Sequence, residues 1–303
     1  MEPINEIKSK KRFSFKFWSR ERDLKILKRI AISAVILASL IIVKDEIFWQ
    51  LDSFVSENDY LADSSYTEET ACNVLGIELH GDLTTYIPHT DTDEGGFALT
   101  DSTASENIVY AINEAEKDDS IKAIILEVDS YGGYPVAGEE VAIAMKNAIK
   151  PTVALIREGG ASAAYMAASG ADKIFASQNS DVGSIGVTMS YLDYVNQNQK
   201  EGLTYIPLSS GKFKDTGDPN KTLTQEEKNL LMRDINILHE NFVKMVAVYR
   251  NLDVKKVKKM ADGSTMLGEM ALQNGLIDQV GGINEVEKYL EEVIGEKPEV
   301  CWQ

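Results

Sequence analysis

Histidine and cysteine are nearly missing from this chain, and their scarcity excludes several chemistries at once. Its 303 residues hold three histidines, His80, His89 and His239, and two cysteines, Cys72 and Cys301. No CxxC pair and no Cys/His cluster occurs, so the sequence offers no zinc site of the usual ligand spacing. The GxSxG nucleophile elbow is also absent. Positive charge is scarce outside one segment. Of 31 Lys and Arg against 48 Asp and Glu, ten bases and only four acids fall in residues 1–29. The rest carries 21 bases against 44 acids. A body this acidic argues against nucleic acid as a partner, because phosphate binding needs a basic face. Solubility is the simplest role for the surplus. An oxidising compartment would permit a Cys72–Cys301 disulfide, but sequence alone does not say whether the two meet.

The basic segment 1–29 leads into IAISAVILASLIIV, residues 30–43, which has no charge. Fourteen residues are short of the roughly 20 a bilayer span needs, and a buried helix or a signal peptide would share the pattern. No small-x-small cleavage site follows, however. Lys28, Arg29 and Lys44 can snorkel from both ends, and Phe48 and Trp49 suit the interfacial zone. Residues 30–49 are therefore expected to be an uncleaved anchor held in the lipid bilayer. The positive-inside rule puts residues 1–29 in the cytoplasm and everything after about residue 50 outside it. A polar, acidic linker (50–71) precedes the main domain, 72–303.

In that domain the pattern predicts an α/β fold with a mainly parallel sheet, flanking helices and a helical C-terminal part. CNVLGIEL (72–79) reads as the first strand, and a helix follows with Ile108, Ile112 and Ala115 on one face. IKAIILEV (121–128) is apolar nearly throughout, as suits a strand buried on both faces. A helix over about 136–149 and the strand PTVALI come next. From 224 the pattern turns helical. Thr224 and Glu227 stand at capping-box spacing, followed by Leu230, Leu231, Ile235, Leu238, Phe242 and Val246 at helical intervals.

The candidate chemistry begins in REGGASAAYMAAS (157–169). A strand, a Gly-Gly corner, a hydroxyl and a helix start would hold Ser162 at a helix N-terminus, where free N–H groups favour negative charge. A plain N-cap serine explains the stretch as well. A serine nucleophile needs a base. His80 and His89 flank a polar loop and either has the chemistry, though neither stands in a recognisable triad. His239 falls in the long helix as a surface or seam residue. A desolvated lysine is the other route, and SSGKFKDTGD (209–218) offers Lys212 and Lys214. Ser209 and Lys212 also fit S-x-x-K, but that motif needs a helix this Gly/Asp-rich stretch does not favour. In EVDSYGGYPVAGEEV (127–141), Gly132-Gly133 between a strand and a helix could form an oxyanion hole or simply a turn.

The stretches VDSYGGYPVAGEEV, GGASAAY, ADKIFASQNSDVGSIGV, SSGKFKDTGDPNKTLTQEE and GEMALQNGLIDQVGG occur in this order. Together they closely resemble the signal peptide peptidase SppA family of serine peptidases, over roughly residues 72–290. The resemblance implies a Clp- and crotonase-like fold and a serine–lysine dyad. Ser162 falls on the nucleophile, Lys214 rather than Lys212 on the general base, and Ser184 on a serine that orients the lysine. Gly133 and the N–H of Ala163 would hold the oxyanion, with Gly132 shaping the loop. Tyr131 stands where the family usually has proline, and Ala163 and Ala164 where it usually has glycines. The resemblance further implies a homo-oligomer whose pocket is partly made by neighbouring subunits, and released signal peptides or other unfolded peptides as substrates. It implies no metal, nucleotide or other cofactor. An inactive membrane-anchored scaffold of the same fold is the alternative, and a crotonase-type acyl-CoA enzyme a further rival.

Overall fold

The structure, a computed structural model, describes residues 72–87 and 101–303. The basic segment, the expected anchor at 30–49, the linker and His89 lie outside the described residues. Among the described residues, no helix is long and apolar enough to cross a membrane.

A nine-stranded sheet organises these residues. Its strands are β1 (Val74–Thr84), β2 (Ser102–Ala104), β3 (Ala123–Gly133), β4 (Thr152–Ala161), β5 (Lys173–Ala176), β6 (Asp181–Gly183), β7 (Thr265–Leu267), β8 (Gln279–Val280) and β9 (Val300–Trp302). They run in the order β2-β1-β3-β4-β5-β8, with β9 on β1, β6 on β4 and β7 on β6. Every pairing is parallel except β6 with β7. The α/β, mostly parallel architecture expected from the sequence is thus present.

Alternation along β3 feeds two cores, as the period of a strand requires. Ile124, Leu126 and Val128 pack in the larger one, beneath α1 (Ser105–Lys117), α2 (Pro135–Asn147) and α3 (Ala163–Ser169). Ala123 and Ile125 pack in the smaller one, against Val286 and Leu290 of the C-terminal helix Ile283–Ile294. Helix α1 buries Ile108, Ile112 and Ala115, the face its spacing predicts.

The remaining helices are α4 (Val195–Lys200), α5 (Gln225–Tyr249), α6 (Val254–Met260), α7 (Gly268–Asn274) and α8, the C-terminal helix just described. The capping box of α5 forms: Thr224 Oγ1 accepts from Glu227 N–H, and Glu227 accepts from Thr224 N–H. Its apolar stripe is buried only in the C-terminal half, at Phe242, Val243, Val246 and Ala247; Leu230 and Leu231 are half-buried and Leu238 is exposed. The segment between β6 and α5 has α4 as its only regular element and, past Ile185, contributes no residue to either core. It leaves Met189, Leu192, Leu203, Ile206, Leu208 and Phe213 open to water.

Cys72 and Cys301 form a disulfide with their Cα atoms 5.7 Å apart, which ties β9 to the start of β1. The ring of Trp302 lies over Gly76, where a Cβ would meet it at 2.3 Å. Because the bond closes a loop spanning 229 residues of sequence, it restricts the unfolded chain strongly. Reduction is expected to cost about 2–4 kcal/mol. The check is thermal melting with and without reductant; superimposed curves would contradict it.

Candidate active site

Strand β4 does not turn at its glycines. It continues through Gly159 and Gly160 to Ala161, leaving β5 after Ile156 to pair with β6. The corner expected at Gly-Gly falls one step later, on Ser162 itself. Ser162 has φ 52° and ψ −125°, a conformation costly for a residue with a Cβ, of order 1–3 kcal/mol. Its N–H donates to Gly183 O at 2.8 Å, and its carbonyl accepts from Met166 N–H at 2.9 Å. The side chain makes no capping hydrogen bond. An N-cap serine adopts extended backbone and bonds back to the helix; Ser162 does neither, so the capping explanation fails.

Two close approaches hold this corner. Gly132 has φ +122°, and a Cβ there would lie 2.8 Å from Ser162 Cβ. On α2, a Cβ at Gly138 would lie 2.6 Å from Ala163 O, so α2 sits directly on the helix that follows Ser162. All seven residues of α3 are buried. Ala163 is the first of them, and its N–H has no intrahelical acceptor. Gly133 pairs in register with Leu83 at the end of β3.

Ser162, Ala163, Gly133 and Ser184 line one cavity of about 520 Å³. Ser184, also at positive φ (47°), donates its hydroxyl to Gly263 O at 2.8 Å, which leaves the oxygen able to accept a hydrogen bond. The apolar wall comes from Met166 and from Ile235, Leu238 and Phe242 of α5. Asp262 also lines the cavity, its carboxyl held below the ordinary range by the hydroxyl and N–H of Ser264. His239 is there too, on the seam expected of it. Its Nε2 lies 3.0 Å from Ala261 O. A carbonyl only accepts, so that nitrogen carries a proton. The α5 wall and the 261–263 turn were not identified from sequence; helical periodicity shows that a face exists, not what it faces.

Lys214 does not line this cavity. It sits exposed in a turn where its N–H donates to Gly211 O at 3.1 Å. The segment is not helical, which disposes of the S-x-x-K reading of Ser209 and Lys212. Lys212 pairs with Glu226 at 2.7 Å, and Lys221 pairs with Asp215 and Glu227. Among the described residues, the ammonium of Lys214 makes no such pair. His80 lies elsewhere, between Glu78 and Glu127, whose other oxygen takes Arg157 at 2.8 Å. Tyr131 packs its ring over Gly159 beside the Gly132 loop.

Glu227 is held down to a pKa of about 2 by Lys221 and by the hydroxyl and N–H of Thr224. A depressed carboxyl contributes stability that is complete above its unfolded pKa near 4.5 and lost as pH falls toward 2. Acid titration of stability is therefore expected to be shallower in Glu227→Gln over that interval. Parallel curves would refute the assignment.

A parallel sheet, a strained serine between strand and helix, and an open N–H beside it form a frame suited to acyl transfer. The profile of peptidase family S49 matches residues 144–295, half of the chain, and the chain belongs to that family. A Methanocaldococcus jannaschii chain named as a protease is 38% identical over 187 residues, 61% of this chain and 60% of that one. An Enterococcus faecium chain named as a signal peptide peptidase SppA is 33% identical over 63% of this chain and 56% of its own. Protease 4 of Haemophilus influenzae is 28% identical over 67% of this chain and 33% of its own. The chain thus spans about 60% or less of the length of these curated relatives. Among solved structures, a ClpP1 mutant from Listeria monocytogenes aligns with TM-score 0.42 and 12% identity, covering 68% of this chain and 91% of that one.

Proposed function

We propose that the chain is a membrane-anchored serine endopeptidase with a Clp- and crotonase-like sheet, which cuts released signal peptides and other unfolded peptides through a Ser162–Lys214 dyad. The observation that carries the reading is the backbone of Ser162, strained at the mouth of a cavity with no capping role to justify it. Neutral Lys214 takes the Ser162 proton while Oγ attacks the peptide carbonyl. The N–H groups of Ala163 and Gly133 receive the oxyanion. Lys214 then delivers its proton to the leaving amine, and water hydrolyses the acyl-enzyme by the same route. Met166, Ile235, Leu238 and Phe242 favour an apolar side chain at the cut.

An ordinary lysine ammonium titrates near about 10.4, so a lysine base must be stripped of water. In one copy Lys214 is exposed. At about 1.5 Å per residue, the part of α5 between Glu227, beside the Lys214 turn, and Ile235, at the cavity, is about 12 Å long. Both facts favour a dyad completed between copies, and the bare apolar segment 189–213 supplies a surface for their association. The uncharged run 30–43 behind ten cations supports the anchor and an extracytoplasmic domain.

One observation favours a second reading: His239 shares the cavity with Ser162. The test is casein cleavage by Ser162→Ala, Lys214→Ala and His239→Ala, with site mapping by a fluorophosphonate probe. Loss in the first two with label on Ser162 supports the dyad. Loss in His239→Ala but not Lys214→Ala moves the base to histidine. Inactivity of folded, assembled wild type would favour a scaffold.

A further inference from the structure

Helix α5 joins two places that matter to that reaction. Its middle walls the cavity, and its first turn holds the segment that bears Lys214. There Lys221 Nζ lies 2.9 Å from Asp215 Oδ1 and bonds Glu227 Oε1. Glu227, only 2% exposed, takes the N–H and hydroxyl of Thr224 on its other oxygen, both at 2.9 Å. Asp218, further along, is occupied by Tyr205 Oη at 3.0 Å and by Asn220 N–H at 2.8 Å. Glu226 is occupied by Lys212. Each carboxylate named in the Lys214 segment and the first turn of α5 therefore already has a partner. Asp215, the chain neighbour of Lys214, is engaged by Lys221 and not by Lys214.

We infer that Lys221, with Asp215 and Glu227, is a positioning device for Lys214. It pins the turn to α5 and occupies the two carboxylates that would otherwise capture the Lys214 ammonium. This rests on the reading of Lys214 as the base. A lysine captured by a carboxylate keeps its proton, since an opposite charge favours the charged form. Freeing Asp215 and Glu227 would therefore disable the base without touching the cavity.

The test measures casein cleavage against pH with the full chain, as wild type, Lys221→Met, Lys221→Arg, Lys221→Met with Asp215→Asn, and Lys214→Ala. Folded fraction is followed by circular dichroism. Lys221→Met is expected to lower kcat at neutral pH about tenfold or more, with KM within about twofold, and to move the rising limb of the pH–rate profile up by about one pH unit. Lys221→Arg should keep the limb in place. Adding Asp215→Asn to Lys221→Met should bring it part of the way back, because one capturing carboxylate is gone. A merely structural role predicts loss in proportion to unfolding, with no movement of the limb and no return, and that result overturns the inference. If Lys221→Met does not fold, Asp215→Asn alone should leave the limb at or below its wild-type position, and an upward shift would overturn the inference. Full activity in Lys214→Ala overturns the dyad and this inference together. Inactive Lys214→Ala beside an unmoved limb in Lys221→Met overturns this inference alone.

Discussion

Ser162→Ala is expected to reduce peptide cleavage by about 10⁴-fold or more while the protein still folds. The more telling variant is Ser162→Gly. At φ 52° a glycine sits without the strain that any Cβ brings. Since the serine makes no capping bond, nothing structural is given up. Ser162→Gly should therefore be inactive and yet melt higher than Ser162→Ala, by about 2–4 °C for each kcal/mol of strain released in a domain of this size. A serine kept for structure predicts the reverse order of activity loss and stability. Calorimetry and cleavage on the same preparations decide between them, and a Ser162→Gly protein that melts lower than Ser162→Ala would end the argument.

The second large effect concerns mixing. If each site takes Ser162 from one copy and Lys214 from another, then Ser162→Ala and Lys214→Ala proteins are each inactive but complementary. Dissociating and reassembling them together in equal amounts should restore about a quarter of wild-type activity, the fraction of sites that draw both intact residues. A dyad held within one copy would give none. The exposed place of Lys214 and the open apolar segment 189–213 make restoration the expected outcome. Substituting Leu208, 95% exposed in one copy, with a charged residue should weaken both assembly and restoration, as read by sedimentation and cleavage.

Much of this was legible in the sequence, and for identifiable reasons. Strand β3 announced itself because burial on both faces demands a run with almost no alternation, and IKAIILEV is apolar apart from Lys122 and Glu127. The cap of α5 was readable because Thr224 and Glu227 satisfy each other locally. Ser162, Ser184, Gly133 and Ala163 come together around one cavity, whereas Lys214 lies outside it. What stayed hidden depends on long-range packing. The Gly159-Gly160 pair looked like a corner because glycine permits one, but pairing with β6 keeps the chain extended there. The burial of α5 along only half its length, and His239 on the cavity wall, follow from where the helix docks, which no local pattern records. The disulfide required knowing that β9 returns to β1 across the whole domain.

The seam between α2 and α3 bears on how such a site would discriminate. With Gly138 pressed on Ala163 and every residue of α3 enclosed, the Ser162 hydroxyl rests on an anvil with no give beneath it. Adaptation to different peptides would then fall to the opposite wall, the half-covered portion of α5. Selectivity would be retuned by altering that wall, while the chemistry stays where the backbone put it.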